Sequence, residues 1–281
     1  MPQSPRQSSA QPLCAADLSP ALIDELTTTA HALADAARKA SLRWFRHPGL
    51  AAESKESQRF DPVTLGDREA EIAMREILAR LRPDDAVFGE EQGVTEGSSG
   101  LTWVLDPIDG TRGFLSGTPT WGVLIAVGDA SGPLYGLIDQ PYIGERFEGG
   151  FGRARLQGPQ GEQPLACRGP RGLDQAILFS TFPEIGSPAE AAAFQRVAGA
   201  VKLVRYGMDC YAYALLAAGQ IDLVIEAGLQ AYDIQGPMAV IRAAGGIVTN
   251  WQGGDAAQGG QVIAAANPEI HAAALALLQA G

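Results

Sequence analysis

The sequence predicts an α/β-type fold in two halves, an α+β half followed by an α/β half. Two amphipathic helical segments precede a run of short strands, and beyond residue 160 strands alternate with helical segments. With 281 residues and 46% hydrophobic content, the chain can bury a large core. We therefore expect one large domain or two closely packed subdomains.

Two helices open the N-terminal half. Ser19 and Pro20 supply an N-cap and a proline at the first helical position, and apolar residues at helical spacing then predict a helix as far as about Phe45. A second apolar stripe predicts a helix over 67–81, which Pro83 ends. The strands predicted after these helices lie at 86–88, 101–105, 122–127, 134–138 and 146–151. Closely spaced turn residues favour a mostly antiparallel sheet covered by the two helices.

The C-terminal half begins after a Gly-, Pro- and Gln-rich stretch at 158–164. This stretch predicts a boundary near residue 160, although a long hairpin within one domain would have the same composition. The strands predicted beyond it lie at 176–180, 202–204, 223–226, 246–249 and 262–266. The expected organisation is a flexible tail at 1–16, an N-terminal α+β subdomain at 17–160 and a C-terminal α/β subdomain at 161–281.

The composition argues against several classes of protein. With 32 acidic and 21 basic residues, net −11, the chain has no basic stripe to neutralise phosphates, which disfavours nucleic acid and anionic membranes as partners. No apolar run approaches a membrane span, and residues 1–16 lack the apolar core of a signal peptide. Three cysteines without a Cys-x-x-Cys pair and three dispersed histidines disfavour a disulfide framework and a zinc site. We therefore expect a cytoplasmic protein.

The strongest chemical motif is an apolar strand from Trp103 that ends in two carboxylates, Asp106 and Asp109, around a proline corner. Carboxylate oxygens suit Mg²⁺, which keeps waters and substrate phosphates as further ligands. Gly110 and Thr111 follow, where a small residue and a new helix allow backbone N–H groups to approach an anion. The motif therefore predicts adjacent metal and phosphate subsites.

Three more acidic residues occupy the ends of predicted elements. Glu90 follows a short strand, as Asp106 follows the next one. Asp67 stands at the start of the second helix, where it is either a helix cap or a base that polarises water. Asp233 opens another helix, and capping is its simpler interpretation.

Together these segments closely resemble the inositol monophosphatase superfamily of Mg²⁺-dependent, lithium-sensitive phosphatases, over most of residues 20–280. The family's motifs occur in the family's order, as Asp-x-Val-Thr-x-x-Asp (61–67), Gly-Glu-Glu (89–91), Trp-x-x-Asp-Pro-Ile-Asp-Gly-Thr (103–111), Tyr-Asp (232–233) and Ala-Gly-Gly (244–246). The resemblance implies the layered α-β-α-β-α sandwich of the inositol monophosphatase and sugar phosphatase type. It also implies a homodimer.

The same resemblance implies a ligand set for the metal. Glu90, Asp106 and the backbone carbonyl of Ile108 would hold a first Mg²⁺, and Asp106, Asp109 and Asp233 would hold a second, with Asp106 as the bridge. Two or three Mg²⁺ ions per subunit are expected, with inhibition by Li⁺. So many carboxylates in one pocket repel one another without metal, so the metal is a requirement.

The resemblance also implies roles beside the metal. Asp67 and Thr111 would orient and deprotonate a metal-bound water, and the N–H groups of Gly110 and Thr111 would hold phosphate oxygens. Lys55 lies near the position of a lysine associated with a third metal subsite in this family. A solvated side chain is the simpler interpretation of Lys55.

Within the superfamily, the chain looks most like the histidinol-phosphatase branch. Arg112 follows the Asp-Gly-Thr triplet, and the segment 207–213 is similar to the Gly-Gly-Asp-Cys-Tyr-Ala-Tyr segment of that branch. Histidinol phosphate carries an ammonium and an imidazole, so acidic side chains beside the metal suit it. Asp209 and Glu226 are the candidates, and Glu226 precedes Asp233 by seven residues, the spacing of the family's substrate-binding Glu.

Three features of the sequence near these residues bear on the shape of the substrate pocket or on nucleophilic chemistry. Met208 stands where the branch has a small residue, and Gly236-Pro237 falls in the helix after Asp233; both could reshape the substrate pocket. Proline in a helix removes one backbone bond and bends the axis, so a tolerated irregularity is expected there. Cys210 has no histidine near it in sequence, and we expect a core residue rather than a nucleophile.

We therefore expect a Mg²⁺-dependent phosphate monoester hydrolase, and specifically a histidinol-phosphatase of histidine biosynthesis. An inositol-1-phosphate phosphatase of broad specificity and a 3′(2′),5′-bisphosphate nucleotidase remain alternatives within the class. A non-catalytic protein that binds transcription machinery is an alternative from another class. The intact ligand set argues against that last alternative.

Overall fold

The computed structural model describes residues 18–54 and 62–280. The α-helices in this part of the chain are α1 (Pro20–Trp44), α2 (Leu65–Leu81), α3 (Thr111–Ser116), α4 (Pro188–Ala198), α5 (Asp209–Ala217), α6 (Ala231–Ala243) and α7 (Pro268–Gln279). None of these helices combines the length and the apolar character needed to cross a membrane. The tail predicted at 1–16, Lys55 and Asp61 lie outside the described residues.

Helix α1 begins where the sequence places its cap, and α2 begins earlier than predicted. Ser19 Oγ accepts a hydrogen bond from the N–H of Leu22 at 3.2 Å. Helix α2 starts at Leu65, so the prediction that Asp67 stands at the cap position is wrong, and Thr64 is the N-cap. Asp67 is the third helical residue and closes a capping box with Thr64, which satisfies two N–H groups at once.

The larger sheet has eight strands in the order β10-β9-β8-β7-β6-β5-β3-β4. Its strands are β3 (Ala86–Gly89), β4 (Gly93–Thr95), β5 (Thr102–Asp109), β6 (Gly122–Asp129), β7 (Gly132–Gln140), β8 (Glu145–Gly150), β9 (Arg153–Gly158) and β10 (Gly161–Pro164). Strands β3 and β5 pair in parallel, and the other neighbouring pairs are antiparallel. The mostly antiparallel sheet predicted for this half is confirmed.

Several short strands were not predicted. The Gly/Pro/Gln-rich stretch forms a hairpin in which β9 pairs with β10 and extends the larger sheet. Strands β1 (Ala52–Ser54) and β2 (Pro62–Thr64) pair with each other, and β4 is equally short. Such segments are too short to show an apolar alternation. The division into subdomains near residue 160 stays a prediction.

The smaller sheet has five strands in the order β12-β11-β13-β15-β14. Its strands are β11 (Ile177–Ser180), β12 (Leu203–Tyr206), β13 (Leu223–Leu229), β14 (Ile247–Asn250) and β15 (Gly260–Ala265). β11 pairs in parallel with β12 and β13, and β15 pairs antiparallel with β13 and β14. All five correspond to predicted strands.

Helices and sheets alternate as layers around three apolar clusters. Helices α1 and α2 pack on one face of the larger sheet, through residues such as Leu33 and Met74. Helices α5 and α6 lie between the two sheets and share a cluster with both. Helices α4 and α7 cover the far face of the smaller sheet. This arrangement confirms the predicted layered α-β-α-β-α sandwich.

Helix α6 continues through Gly236 and Pro237, both of which are buried. A Cβ atom at Gly236 would lie 3.1 Å from the carbonyl oxygens of Ile125 and Leu137, so glycine lets the helix approach the sheet closely. The expected irregularity is therefore accommodated within one helix. The close packing of α6 against β6 and β7 is the physical reason for glycine at position 236.

Buried charges tie α1 to the larger sheet. Arg38 donates two hydrogen bonds to Asp139, at 2.6 and 3.0 Å, and Arg146 donates to the same carboxylate at 2.7 Å. Glu148 is buried beside them and pairs with Arg155 and with His31. We call Arg38, Asp139, Arg146, Glu148 and His31 the α1 charge cluster. Each of its two carboxylates has at least one arginine partner.

His31 is held in one tautomer by its partners in the α1 charge cluster. Its Nδ1 lies 3.1 Å from an Arg146 nitrogen, which can only donate, so Nδ1 accepts and carries no proton. Its Nε2 lies 3.0 Å from Glu148 and donates to it. Burial first, and then the charges of Arg146 and Arg155, lower the pKa of His31 to about 4. The ring is therefore neutral in the folded protein near pH 7.

Candidate active site

The end of β5 brings Asp106 and Asp109 to one place. Residues an odd number apart in a regular strand point to opposite faces of the sheet. The pairing of β5 with β6 shifts by one residue between Asp106 and Asp109, which is a β-bulge. The N–H of Ile108 donates to Asp106 Oδ1 at 3.0 Å inside this bulge. The proline corner in the sequence is therefore the device that aligns the two carboxylates.

Asp233 joins these two carboxylates from α6. One carboxylate oxygen from each of Asp106, Asp109 and Asp233 lies within 4.8 Å of the other two. Asp233 also accepts a hydrogen bond from the N–H of Gln230 at 2.6 Å, so it is a capping residue and a member of the cluster. An all-oxygen, carboxylate donor set of this size fits Mg²⁺.

Glu90 lies directly after β3, beside this cluster. Its N–H donates to the carbonyl of Leu105 at 3.1 Å, because β3 runs parallel to β5 and the two strands end side by side. Burial, and next the charge of Glu90, raise the pKa of Asp106 well above its usual range. Glu90 is thus close enough for its charge to act on the cluster, as the sequence predicted for converging strand ends. We call Glu90, Asp106, Asp109 and Asp233 the acidic site.

Sequence analysis did not find the residue that shapes the Glu90 turn. Glu71 is fully buried on α2 and accepts hydrogen bonds from the N–H groups of Glu91 at 2.7 Å and Gln92 at 3.1 Å. Arg75, one helical turn later, balances its charge at 2.7 Å. A Glu four residues before an Arg is also common on exposed helix surfaces, so this spacing alone does not predict that Glu71 is buried.

Asp67 presents one bonded oxygen and one unbonded oxygen. Its Oδ2 accepts hydrogen bonds from Thr64, from the N–H at 2.9 Å and from the hydroxyl at 2.5 Å. Its Oδ1 is buried and has no hydrogen-bond partner among the described residues. Burial first, together with the charge of Glu90, raises the pKa of Asp67 to about 6, while the hydrogen bonds from Thr64 act to lower it. A fixed carboxylate with a spare oxygen and a raised pKa is suited to accept a proton.

The backbone after Asp109 enters the new helix predicted there. Gly110 has φ +83 and caps the short helix α3, and the hydroxyl of Thr111 donates to the carbonyl of Ile108 at 3.2 Å. A Cβ atom at position 110 would lie 2.8 Å from Cβ of Asp209. Glycine is therefore required both for the left-handed backbone and for the approach of α5.

Helix α5 contacts the acidic site through its first residues. The N–H of Cys210 donates to Asp109 Oδ2 at 2.6 Å, which fixes one oxygen of a cluster carboxylate. Asp209 has φ +45, a left-handed conformation that Asp tolerates better than most residues, and it accepts a hydrogen bond from Thr120 at 3.4 Å. Burial raises the pKa of Asp209 to about 6, while the Thr120 bond and the charge of Arg112 lower it. Asp209 thus lies beside Asp109 and Gly110.

Cys210 itself belongs to the core, as predicted. Its side chain is 2% exposed and lies in the cluster between the two sheets. Burial, and next the charge of Asp109, raise the pKa of its thiol well above its usual value, so a nucleophilic thiolate is disfavoured.

Glu226 lies near these residues and already has hydrogen-bond partners. It accepts from the N–H of Thr181 at 2.7 Å, from the Thr181 hydroxyl at 2.9 Å and from Ser180 at 3.4 Å. Burial raises the pKa of Glu226 to about 8, and the charges of Asp209 and Asp109 act in the same direction. Its role as a substrate contact stays a prediction, and its hydrogen bonds from Ser180 and Thr181 were not predictable from spacing.

Arg112 links α3 to the C-terminal half. Its guanidinium lies 4.8 Å from the ring centre of Phe182, a cation–π distance, and its charge acts on Asp209. The sequence singled out Arg112 only as a marker of one branch. Phe182 follows β11 and carried no pattern that would have identified it.

The family of this chain follows from a match over nearly its whole length. Residues 22–281 match the sequence profile of the inositol monophosphatase family. The chain belongs to the inositol monophosphatase family. It is therefore a phosphoric monoester hydrolase. The family is metal-dependent, with Mg²⁺ as the typical ion, and the carboxylate cluster could hold such an ion.

Individual members of the inositol monophosphatase family differ in the substrate that they are named for. A chloroplastic bifunctional phosphatase of Arabidopsis thaliana is 39% identical over 275 residues, which cover 94% of this chain and 78% of that protein. The histidinol-phosphatase of Mycobacterium tuberculosis is 33% identical and matches 89% of this chain and 97% of its own. The structure of an inositol monophosphatase from Zymomonas mobilis superimposes with a TM-score of 0.81 at 35% identity, over 93% of this chain and 100% of that chain. The reaction class is common to these relatives, and the alcohol is not.

Proposed function

We propose that this phosphatase hydrolyses L-histidinol phosphate to L-histidinol and phosphate, in histidine biosynthesis. The observation that carries the proposal is the position of Asp209, a carboxylate that packs on Gly110 beside the acidic site. A substrate alcohol with an ammonium group would meet this carboxylate next to its phosphate. The named histidinol-phosphatase relative and the Arg112 pattern support the same substrate.

The metal assignment follows the family pattern. Glu90, Asp106 and the carbonyl of Ile108 would hold one Mg²⁺, and Asp106, Asp109 and Asp233 a second, with two or three ions per subunit. The geometry supports this assignment because three of the carboxylates share one cluster and Glu90 acts on it. Bound Mg²⁺ lowers the pKa of water and neutralises charge on phosphate oxygens.

Three further residues would act on the water and the phosphate. Asp67 would accept the proton of the attacking water at Oδ1, because Thr64 holds its other oxygen. Thr111 would orient that water, since its hydroxyl proton is committed to Ile108 and its lone pairs are free to accept. The N–H groups of Gly110 and Thr111 would hold phosphate oxygens.

The alcohol would lie between the two remaining acidic candidates. Asp209 and Glu226 would bind its ammonium and imidazole groups, and Arg112 and Phe182 lie beside Asp209. Asp209 is the stronger candidate for the ammonium, because Glu226 already accepts three hydrogen bonds.

We also propose that the protein is a cytoplasmic homodimer, on the family resemblance.

The specific rival is inositol 1-phosphate, which the name of the Zymomonas mobilis relative favours. Purified protein with Mg²⁺ should release phosphate from L-histidinol phosphate with a higher kcat/KM than from inositol 1-phosphate or adenosine 3′,5′-bisphosphate. EDTA should abolish release, Mg²⁺ should restore it and Li⁺ should inhibit it. A higher kcat/KM for either other ester would replace histidinol phosphate as the proposed substrate. Failure to hydrolyse any of these three esters would favour a binding role.

Sedimentation analysis would test the proposed dimer.

A further inference from the structure

Near the acidic site, the hydroxyl of Tyr213 is buried and has no hydrogen-bond partner within the part of the chain that the structure describes. Tyr213 is 3% exposed, and among the described residues nothing hydrogen-bonds its hydroxyl. It lies on α5, one helical turn after Asp209 and on the same face of that helix. Tyr211, on the same helix, shows the ordinary arrangement, because its hydroxyl donates to Glu145 at 2.5 Å.

Folding alone does not account for the Tyr213 hydroxyl. Burying a polar group without a partner is unfavourable, and a phenylalanine ring would fill the same space without that cost. The ring of Tyr213 packs in the cluster between the two sheets. The hydroxyl therefore needs an explanation other than packing.

The groups that face this hydroxyl are those of the candidate site. The titratable side chains around it are those of Glu226, Asp109, Asp233 and Cys210. Burial first, and then the Glu226 carboxylate, raise the pKa of Tyr213, so the phenol keeps its proton and can donate it. The three carboxylates can accept.

Glu226 has the largest charge effect on Tyr213 among the three carboxylates, and one of its oxygens can accept a further hydrogen bond. Its Oε1 already accepts two hydrogen bonds from Thr181, whereas its Oε2 accepts one, at 3.4 Å from Ser180. A carboxylate oxygen has room for two good hydrogen bonds. No direct bond joins Tyr213 to Glu226, and a buried water commonly connects polar groups in this situation.

We propose that Tyr213 is a positioning residue of the active site, whose hydroxyl donates a hydrogen bond through one buried water to Glu226 and so holds that carboxylate in place near Asp109 and Asp233. This proposal rests on the proposed function, because it takes Glu226 as a substrate contact and Asp109 and Asp233 as metal ligands. Groups that support metal ligands commonly affect metal affinity and rate.

The test is Tyr213→Phe, which removes one oxygen atom and keeps the ring. Tyr211→Phe is the matched control, since it makes the same change on the same helix at a hydroxyl that bonds Glu145. Three quantities are measured for each variant: the Tm without metal, the Mg²⁺ dissociation constant by calorimetry, and kcat/KM with the best ester. Tyr213→Phe should keep or raise the Tm, and should weaken Mg²⁺ binding or lower kcat/KM by about 10-fold or more. Tyr211→Phe should leave Mg²⁺ binding and kcat/KM unchanged.

A double-mutant cycle identifies the acceptor. If Tyr213 acts through Glu226, then Tyr213→Phe should have little further effect in a Glu226→Gln background. Wild-type Mg²⁺ affinity and kcat/KM in Tyr213→Phe would overturn the proposal, and so would a Tyr213→Phe chain that does not fold, because the hydroxyl would then be paired within the core. If the wild type hydrolyses no ester, the proposed function fails, and the Mg²⁺ titration still tests Tyr213 by itself.

Discussion

The acidic site and the α1 charge cluster both bury carboxylates, and they balance the charge differently. In the α1 charge cluster, Asp139 receives three hydrogen bonds from Arg38 and Arg146. In the acidic site, the nearest charges to Asp106 are other carboxylates, and they raise its pKa. Buried like charges are unfavourable unless cations or protons neutralise them. The first region is therefore complete as a folded structure, and the second leaves its charge to be balanced by bound cations or protons.

The largest effect should come from Asp106→Asn. It removes the charge that both proposed Mg²⁺ ions share, and the amide oxygen can still accept the Ile108 N–H bond. We expect kcat to fall by more than about 100-fold, because a ligand should matter more than the supporting groups that cost up to that factor. The Tm without metal should hold or rise, since one like charge leaves the site. Phosphate release and thermal unfolding measure these outcomes, and a near-native rate would contradict the bridging role.

Asp139→Asn is the counterpart in the α1 charge cluster and should do the opposite. It leaves the guanidinium groups of Arg38 and Arg146 without their shared carboxylate, and Asp139 is fully buried. Breaking such a pair costs about 3 kcal/mol or more in the free energy of unfolding. Urea unfolding measures that loss, and kcat at a temperature where the variant is folded should stay near the wild-type value. An Asp139→Asn variant that is stable but has a low kcat would show that the α1 charge cluster affects catalysis and not only stability.

The contrast also explains what sequence analysis found. Asp106, Asp109, Asp67 and Glu90 were found because each lies at or near the end of a predicted element, where local pattern and family motif coincide. The α1 charge cluster was missed because His31 and Glu148 are 117 residues apart and neither stands in a motif. Long-range pairs of this kind carry no periodic pattern.

The strands divide in the same way. Long apolar segments such as β6 and β13 were predicted because burial on both faces leaves a continuous apolar run. Strand β10 is exposed at all its positions and reads as a loop. The cap of α2 was misplaced because Thr64 and Asp67 are both good capping residues, and only the backbone shows which one begins the helix.

Asp209 is intermediate between the acidic site and the α1 charge cluster in how its charge is balanced. Its substitution should have a smaller effect on kcat/KM, and this effect should depend on the substrate. It has a like-charged neighbour in Asp109 and a nearby cation in Arg112. Asp209→Asn keeps the left-handed backbone, which Asn also tolerates, and removes only the charge. A charge-assisted hydrogen bond contributes about 1.5–3 kcal/mol, so kcat/KM for histidinol phosphate should fall about 10-fold or more.

The comparison substrate for Asp209→Asn is glycerol 2-phosphate, which has no ammonium group. Its kcat/KM should change much less, because the metal ligands and the phosphate loop are intact. Equal losses on the two esters would show that Asp209 supports the loop at Gly110 and does not recognise the amine.

The smallest effect concerns the pH dependence of stability in the α1 charge cluster. Because the folded protein lowers the pKa of His31 to about 4 from its ordinary 6.5, the unfolded chain binds this proton first as the pH falls. The stabilisation is therefore complete above pH 6.5 and is lost progressively as the pH falls towards 4. His31→Gln cannot take up that proton, so its urea midpoint should depend less on pH than that of the wild type across this window. His47→Gln, at an exposed turn, is the control and should follow the wild type. Parallel pH profiles for His31→Gln and wild type would mean that His31 titrates alike in the folded and unfolded chains.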